Sequence, residues 1–144
     1  MKHLSFVAVI LALLVFAVSL LMPPSARAQP APLNGPEAVI SQQLQAFDAE
    51  DFDRAWGYAS PTIQGVFGTV DNFGAMVRDG YPMVHHSRSH RFAGQDERGG
   101  RTYQKVEIED TDGRLHLLEY AMIQTPEGWK IDAVRMLKMP GLAV

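Results

Sequence analysis

An α+β fold, with N-terminal helices packed on a twisted antiparallel sheet of about four strands, is predicted by three observations. Apolar residues recur at helical spacing between residues 36 and 80. From Tyr81 onward the apolar pattern becomes alternating, the period of a strand with one buried face. Glycine-containing turn signals then divide that second half into consecutive strands. Helices first and a strand meander afterwards is a layered arrangement with a single core.

The elements follow in order. Met1, Lys2 and His3 make a short basic start, and Leu4–Met22 is apolar but for Ser5 and Ser19. Pro23-Pro24 breaks any helix there, and Ala26-Arg27-Ala28 offers the small residues of a peptidase site, so residues 1–28 read as an export signal cleaved after Ala28. The rival is an uncleaved anchor, because the apolar run of 19 residues as a helix would span ~28 Å, close to a bilayer core. Gln29–Gly35 is a proline-rich tether. Residues 36–138 form one α+β domain, and 139–144 form a tail.

Pro36 suits a first helical position, and Val39, Ile40, Leu44 and Phe47 make one stripe behind it. Asp51 caps a short second helix with Phe52, Ala55, Trp56 and Ala59 inward. Ser60-Pro61 restarts the helix with Ile63, Val66 and Phe67, and a further helix carries Phe73, Met76 and Val77 to a stop at Gly80. Met83–Phe92 reads as a strand, Asp96–Gly100 as a loop and Arg101–Glu109 as a second strand. Thr111-Asp112-Gly113 is a hairpin turn. Leu115–Gln124 is a doubly covered central strand, Thr125-Pro126-Glu127-Gly128 turns again, and Trp129–Leu137 closes the sheet. Trp129 is expected to be largely buried, at the head of an inner face that continues through Ile131 and Ala133.

Composition narrows the function. With Lys2 and Arg27 removed, 11 basic face 16 acidic residues, a balance that argues against nucleic acid or an anionic membrane as partner. The chain contains no cysteine, which excludes disulfides and lipid attachment through an N-terminal Cys. The charge is uneven, −5 over 29–77, +3 over 78–105 and −3 over 106–144.

This element order is similar to the cystatin-like and nuclear-transport-factor-two-like cone folds, a likeness that carries no function with it. A closer resemblance rests on Ala59-Ser60-Pro61-Thr62-Ile63-Gln64-Gly65-Val66-Phe67-Gly68, on Asn72–Val84 and on Thr125-Pro126-Glu127-Gly128-Trp129-Lys130-Ile131. These stretches resemble the bacterial family called domain of unknown function 4864. The resemblance implies a small exported protein of one domain, with no activity and no site residue to carry over. After Met83-Val84 it leads one to expect a Trp-Arg pair, where this chain has His85-His86.

Few constellations promise chemistry. In a strand, His85 points away from His86 and His90, and His86 and His90 sit ~13 Å apart on one face, too far to hold one ion, so no metal and no cofactor is expected. Asp48, Glu50, Asp51 and Asp53 cluster at a helix junction and read as capping charge, without a calcium-loop pattern. There is no Gly-x-Ser-x-Gly elbow and no phosphate-binding glycine loop. The aromatic residues form either a core or the wall of a cone cavity, with Trp56, Tyr81 and Tyr120 expected at its polar edge. Val84–Arg91 holds His85, His86, His90, Arg88 and Arg91, a basic face for an anionic partner. The reading is an exported, periplasmic or secreted, non-enzymatic module binding an envelope protein or small ligand. The alternative is a cone-fold enzyme with acid–base chemistry from His86, Tyr81 or Tyr120.

Overall fold

A computed structural model describes residues 35–141. The expected export signal, and all of the tether but Gly35, lie outside the described residues. Among the described residues no helix is long and apolar enough to cross a membrane.

Pro36 occupies the first turn of α1 (Pro36–Asp48), where its missing N–H leaves no bond unmade, and Glu37 meets the positive end of the helix dipole. Val39, Ile40, Leu44 and Phe47 are buried along one face. The helix closes with two hydrogen bonds, Glu50 N–H to Phe47 O at 3.0 Å and Asp51 N–H to Ala46 O at 2.8 Å. This double closure needs a left-handed residue, ordinarily glycine, and Glu50 takes it with φ of 56°.

Side-chain caps start the next three helices. Asp51 accepts from Arg54 N–H at the head of α2 (Phe52–Gly57), and Ser60 from Ile63 N–H at the head of α3 (Pro61–Phe67). Thr69 accepts from Asn72 N–H before α4 (Val70–Gly80). Gly80 is the last residue of α4, but Pro82 sets the stop, because the ring bars Tyr81 from helical backbone (φ −135°, ψ 56°).

The strand expected over Met83–Phe92 is corrected here. Pro82–His85 forms a single helical turn, α5, with Val84 and His85 N–H both donating to Tyr81 O. Proline at the first position favours a helical start, and adjacent Met83 and Val84 are both buried, which a one-sided strand does not allow. The strand starts later and runs longer, as β1 (Ser87–Arg98). The expected loop shrinks to Gly99-Gly100, with φ of 57° and 77°, as a two-residue hairpin joining Arg98 to Arg101 demands.

The remaining strands are β2 (Arg101–Asp110), β3 (Leu115–Thr125) and β4 (Gly128–Leu137), antiparallel in the order β1-β2-β3-β4. Asp110 Oδ1 accepts from Asp112 and Arg114 N–H, shaping the β2–β3 turn around Gly113 (φ 80°). The predicted fold, helices on one face of a four-stranded twisted sheet, is the fold observed. Ile40, Leu44 and Phe47 of α1 belong to one core with Val106, Ile108, Leu118, Tyr120 and Met122 of the sheet.

The inner face of β4 also departs from expectation. Met122 pairs with Ile131 and Ala121 with Ala133, so Asp132 is an extra residue, a β-bulge. The bulge shifts the alternation by one, and Val134, not Ala133, follows Ile131 on the core side. Ala133 is exposed, and Trp129 is only half-buried, packed on the margin of the core. Beside it, Ser60 N–H donates to Ile131 O at 2.8 Å and Ile131 N–H to Tyr58 O at 2.9 Å. The link between α2 and α3 is thereby pinned to the edge strand.

Candidate functional site

A cavity of about 220 Å³ lies between the helices and the inner face of β3 and β4. Its floor is buried: Phe47 of α1, Val77 of α4, Val84 of α5, Tyr120 of β3 and Ile131 of β4. Its rim is partly exposed and comes from Ile63 and Phe67 of α3, Met76 of α4, Tyr81 and Val134. The short helices α3 and α4, joined at a bend through Gly68, leave this gap over the sheet instead of closing on it.

Two tyrosines, Tyr81 and Tyr120, are among the lining residues. Tyr81 Oη donates to Val134 O at 3.0 Å. Tyr120 is fully buried, and its hydroxyl has no hydrogen-bond partner among the described residues. Burial, with Tyr81 nearby as a lesser cause, pushes the Tyr120 phenol well above its ordinary range. Gln104 stands directly across from Tyr120 in the β2–β3 register and commits Nε2 to Ala93 O and Lys105 O. Its Oε1 is likewise buried without a partner. Gln43, also in the lining, gives its Nε2–H to Ala55 O at 3.2 Å. The described lining contains no His, Asp, Glu or Lys, the side chains that most often serve as a general base.

A second cluster lies outside the cavity. His85 ends α5 and His86 follows it in extended backbone, and their rings stack at 3.9 Å between centroids. His85 Nε2 is 2.5 Å and His86 Nε2 3.2 Å from Glu50 Oε1. Asp48 Oδ1 lies 3.6 Å from His86 Nδ1, and Arg78 stands 3.8 Å from Glu50 Oε2 while stacking on Phe52. The hydrogen bond from His85 is the main reason that the Glu50 carboxyl lies below its ordinary range. The expectation that these histidines point apart is overturned, because helical backbone at residues 82–85 replaces the strand it assumed.

The family model described as domain of unknown function DUF4864 matches residues 33–144. The chain belongs to that family. Among solved structures, a SEC-C motif-containing protein from Rhodopseudomonas palustris is similar, with a TM-score of 0.53 at 18% identity over 73% of this chain and 80% of that one. An NTF2-like protein of unknown function from Shewanella baltica is similar with a TM-score of 0.42 at 15% identity, over 70% and 90% of the two chains. No curated protein matches the sequence. The likeness to the first structure is one of fold alone.

In this family member the residues singled out from sequence fall in several places. Tyr81 and Tyr120 line the cavity, whereas Trp56 packs edge-on against Phe73 at 5.3 Å, outside the lining. His86 joins the cluster at the end of α1. His90 faces inward, its Nε2 3.0 Å from Ser41 Oγ, and burial lowers its pKa toward the neutral ring. Arg88 and Arg91 face the other way, onto Glu109 and Glu107 of β2 at 3.3 and 3.0 Å. The basic segment therefore does not present one face.

Two buried carboxylates were not anticipated. Glu119, with 3% of its side chain exposed, is gripped by Arg135 at 2.7 Å and Arg98 at 2.9 Å. Burial alone raises its pKa, but the hydrogen bonds from both arginines outweigh it and hold the carboxyl below its ordinary range. Asp132, at the bulge, accepts from Ser60 Oγ at 2.7 Å and pairs with Arg101 at 3.0 Å. The available signal was a lone Glu inside the apolar run Leu115–Gln124; only the register shows which arginines answer it.

Proposed function

We propose that this protein is an exported binding module of the bacterial envelope and that it holds a small, largely apolar ligand in the cavity between α4 and β4. The supporting observation is a largely apolar cavity with Tyr120 among its lining residues, the hydroxyl of that tyrosine being fully buried and without a partner among the described residues. An orphaned buried hydroxyl is a standing cost of ~1–3 kcal/mol, relieved when a bound molecule accepts its hydrogen bond. The size is suitable. An apolar cavity of ~150 Å³ holds benzene, so about 220 Å³ takes one ring with a few further atoms. The absence of His, Asp, Glu and Lys from the described lining residues favours binding over acid–base catalysis. The envelope location rests on the basic start, apolar run and Ala26-Arg27-Ala28 of the N-terminal segment.

The test compares toluene with acetophenone, two probes of similar shape of which the second carries a carbonyl acceptor. Both should raise the melting temperature at millimolar concentration, and acetophenone should bind roughly 2–10-fold tighter, the worth of one hydrogen bond. Tyr120→Phe should abolish that difference while leaving toluene bound. If neither probe raises the melting temperature, the cavity is not a ligand site.

A further inference from the structure

The cluster at the end of α1 has the composition of a transition-metal site. We infer that Glu50, His85 and His86 bind one divalent ion of the zinc class through Glu50 Oε1, His85 Nε2 and His86 Nε2, with solvent completing the coordination. The three ligand atoms lie within 4.8 Å of one another. With metal–ligand bonds of ~2.0–2.1 Å, a tetrahedral site places its donors roughly 3.3 Å apart. The His86–Glu50 separation of 3.2 Å meets that directly. The His85–Glu50 separation of 2.5 Å must widen by roughly 0.8 Å to reach the tetrahedral spacing. Glu50, half-exposed, has the side-chain freedom to widen it.

Several neighbouring groups favour a cation here, with the Arg78 guanidinium a positive charge against it. Asp48 Oδ1 lies 3.6 Å from Nδ1 of His86, on the ring side away from Glu50, and adds negative charge beside that ring without hydrogen-bonding to it. Arg78 stands at the second oxygen of Glu50 and leaves Oε1 for the histidines. The C-terminus of α1, a helix of 13 residues, adds partial negative charge at the same point. Glu50 itself sits where the backbone calls for glycine (φ 56°), a local conflict of the kind that marks functional positions. Two imidazoles and one carboxylate select zinc, nickel, copper or cobalt over magnesium and calcium, which take all-oxygen sites.

Untagged protein titrated with Co²⁺ and Zn²⁺ tests this. The expected result is one ion per chain at micromolar affinity, with the visible bands of low-symmetry Co²⁺ displaced by Zn²⁺. Glu50→Gly, which satisfies the backbone, and His86→Asn, at a half-exposed position, should each weaken binding at least tenfold while circular dichroism shows the fold retained. His116→Asn, in the separate pair with Asp110, should change nothing. Affinity unchanged in both cluster variants, lost in His116→Asn, or no binding tighter than millimolar in the parent protein overturns the inference. None of these outcomes bears on the cavity, which shares no residue with the cluster.

Discussion

Replacing Tyr120 with Phe should stabilise the ligand-free protein. The ring is fully buried in the core and stays so in the variant, so the packing contribution is unchanged. What disappears is a hydroxyl without a partner, whose desolvation costs ~1–3 kcal/mol. Against a total stability of ~5–15 kcal/mol this is a large effect. For a domain near 100 residues it raises the melting temperature by roughly 4 °C per kcal/mol, or ~4–12 °C. A urea titration followed by circular dichroism should show a higher midpoint at unchanged slope. Tyr81→Phe is the control of opposite sign, because Tyr81 donates to Val134 O and its loss should cost ~0.5–1.5 kcal/mol. A Tyr120→Phe protein less stable than the parent by ~1 kcal/mol or more refutes the reasoning, since the hydroxyl is then already satisfied and not available to a ligand.

Three further outcomes follow from the same geometry. Glu50→Gly should be more stable than Glu50→Ala by ~1 kcal/mol in denaturant titration, because both lose the exposed ion pairs but only glycine suits a φ of 56°. Ser60→Ala should cost ~2–3 kcal/mol and Thr69→Ala only ~1, since Ser60 both caps α3 and satisfies the buried Asp132 whereas Thr69 is an exposed cap. Glu119 has a folded-state pKa below its unfolded value, so the unfolded chain binds more protons and the carboxylate's contribution, present above the ordinary Glu range, is lost as pH falls through the lowered value. Thermal melts from pH 6 to 3 should fall less steeply for Glu119→Gln than for the parent, and parallel curves would contradict it.

Much of this fold can be read from local chemistry. Asp51, Ser60 and Pro36 mark helix starts because a capping oxygen or a missing N–H acts within a few residues of its own position. Asp112-Gly113 and Gly128 mark turns for a similar reason, since the left-handed backbone there is a property of the turn alone. What the sequence hides is set at longer range. Met83 and Val84 look like the start of a strand until Pro82 is weighed as a helix start, and only the helical turn brings the rings of His85 and His86 together. The bulge at Asp132 displaces Ala133 from the inner face, and nothing in Ile131–Val134 announces it. Tyr120 was legible as an aromatic with a polar edge. That its hydroxyl goes unpaired depends on Gln104 across the register and on Tyr81 turning to Val134, neither visible in a single segment.

The account turns on the cavity and on the buried Tyr120 hydroxyl. A crystal structure with acetophenone bound tests both together. The ligand's ring should lie between Phe67, Met76 and Val134, with its carbonyl oxygen ~2.7–2.8 Å from Tyr120 Oη, the ordinary length of such a bond. An empty cavity at saturating acetophenone, or a ligand whose carbonyl turns away from Tyr120, contradicts the account.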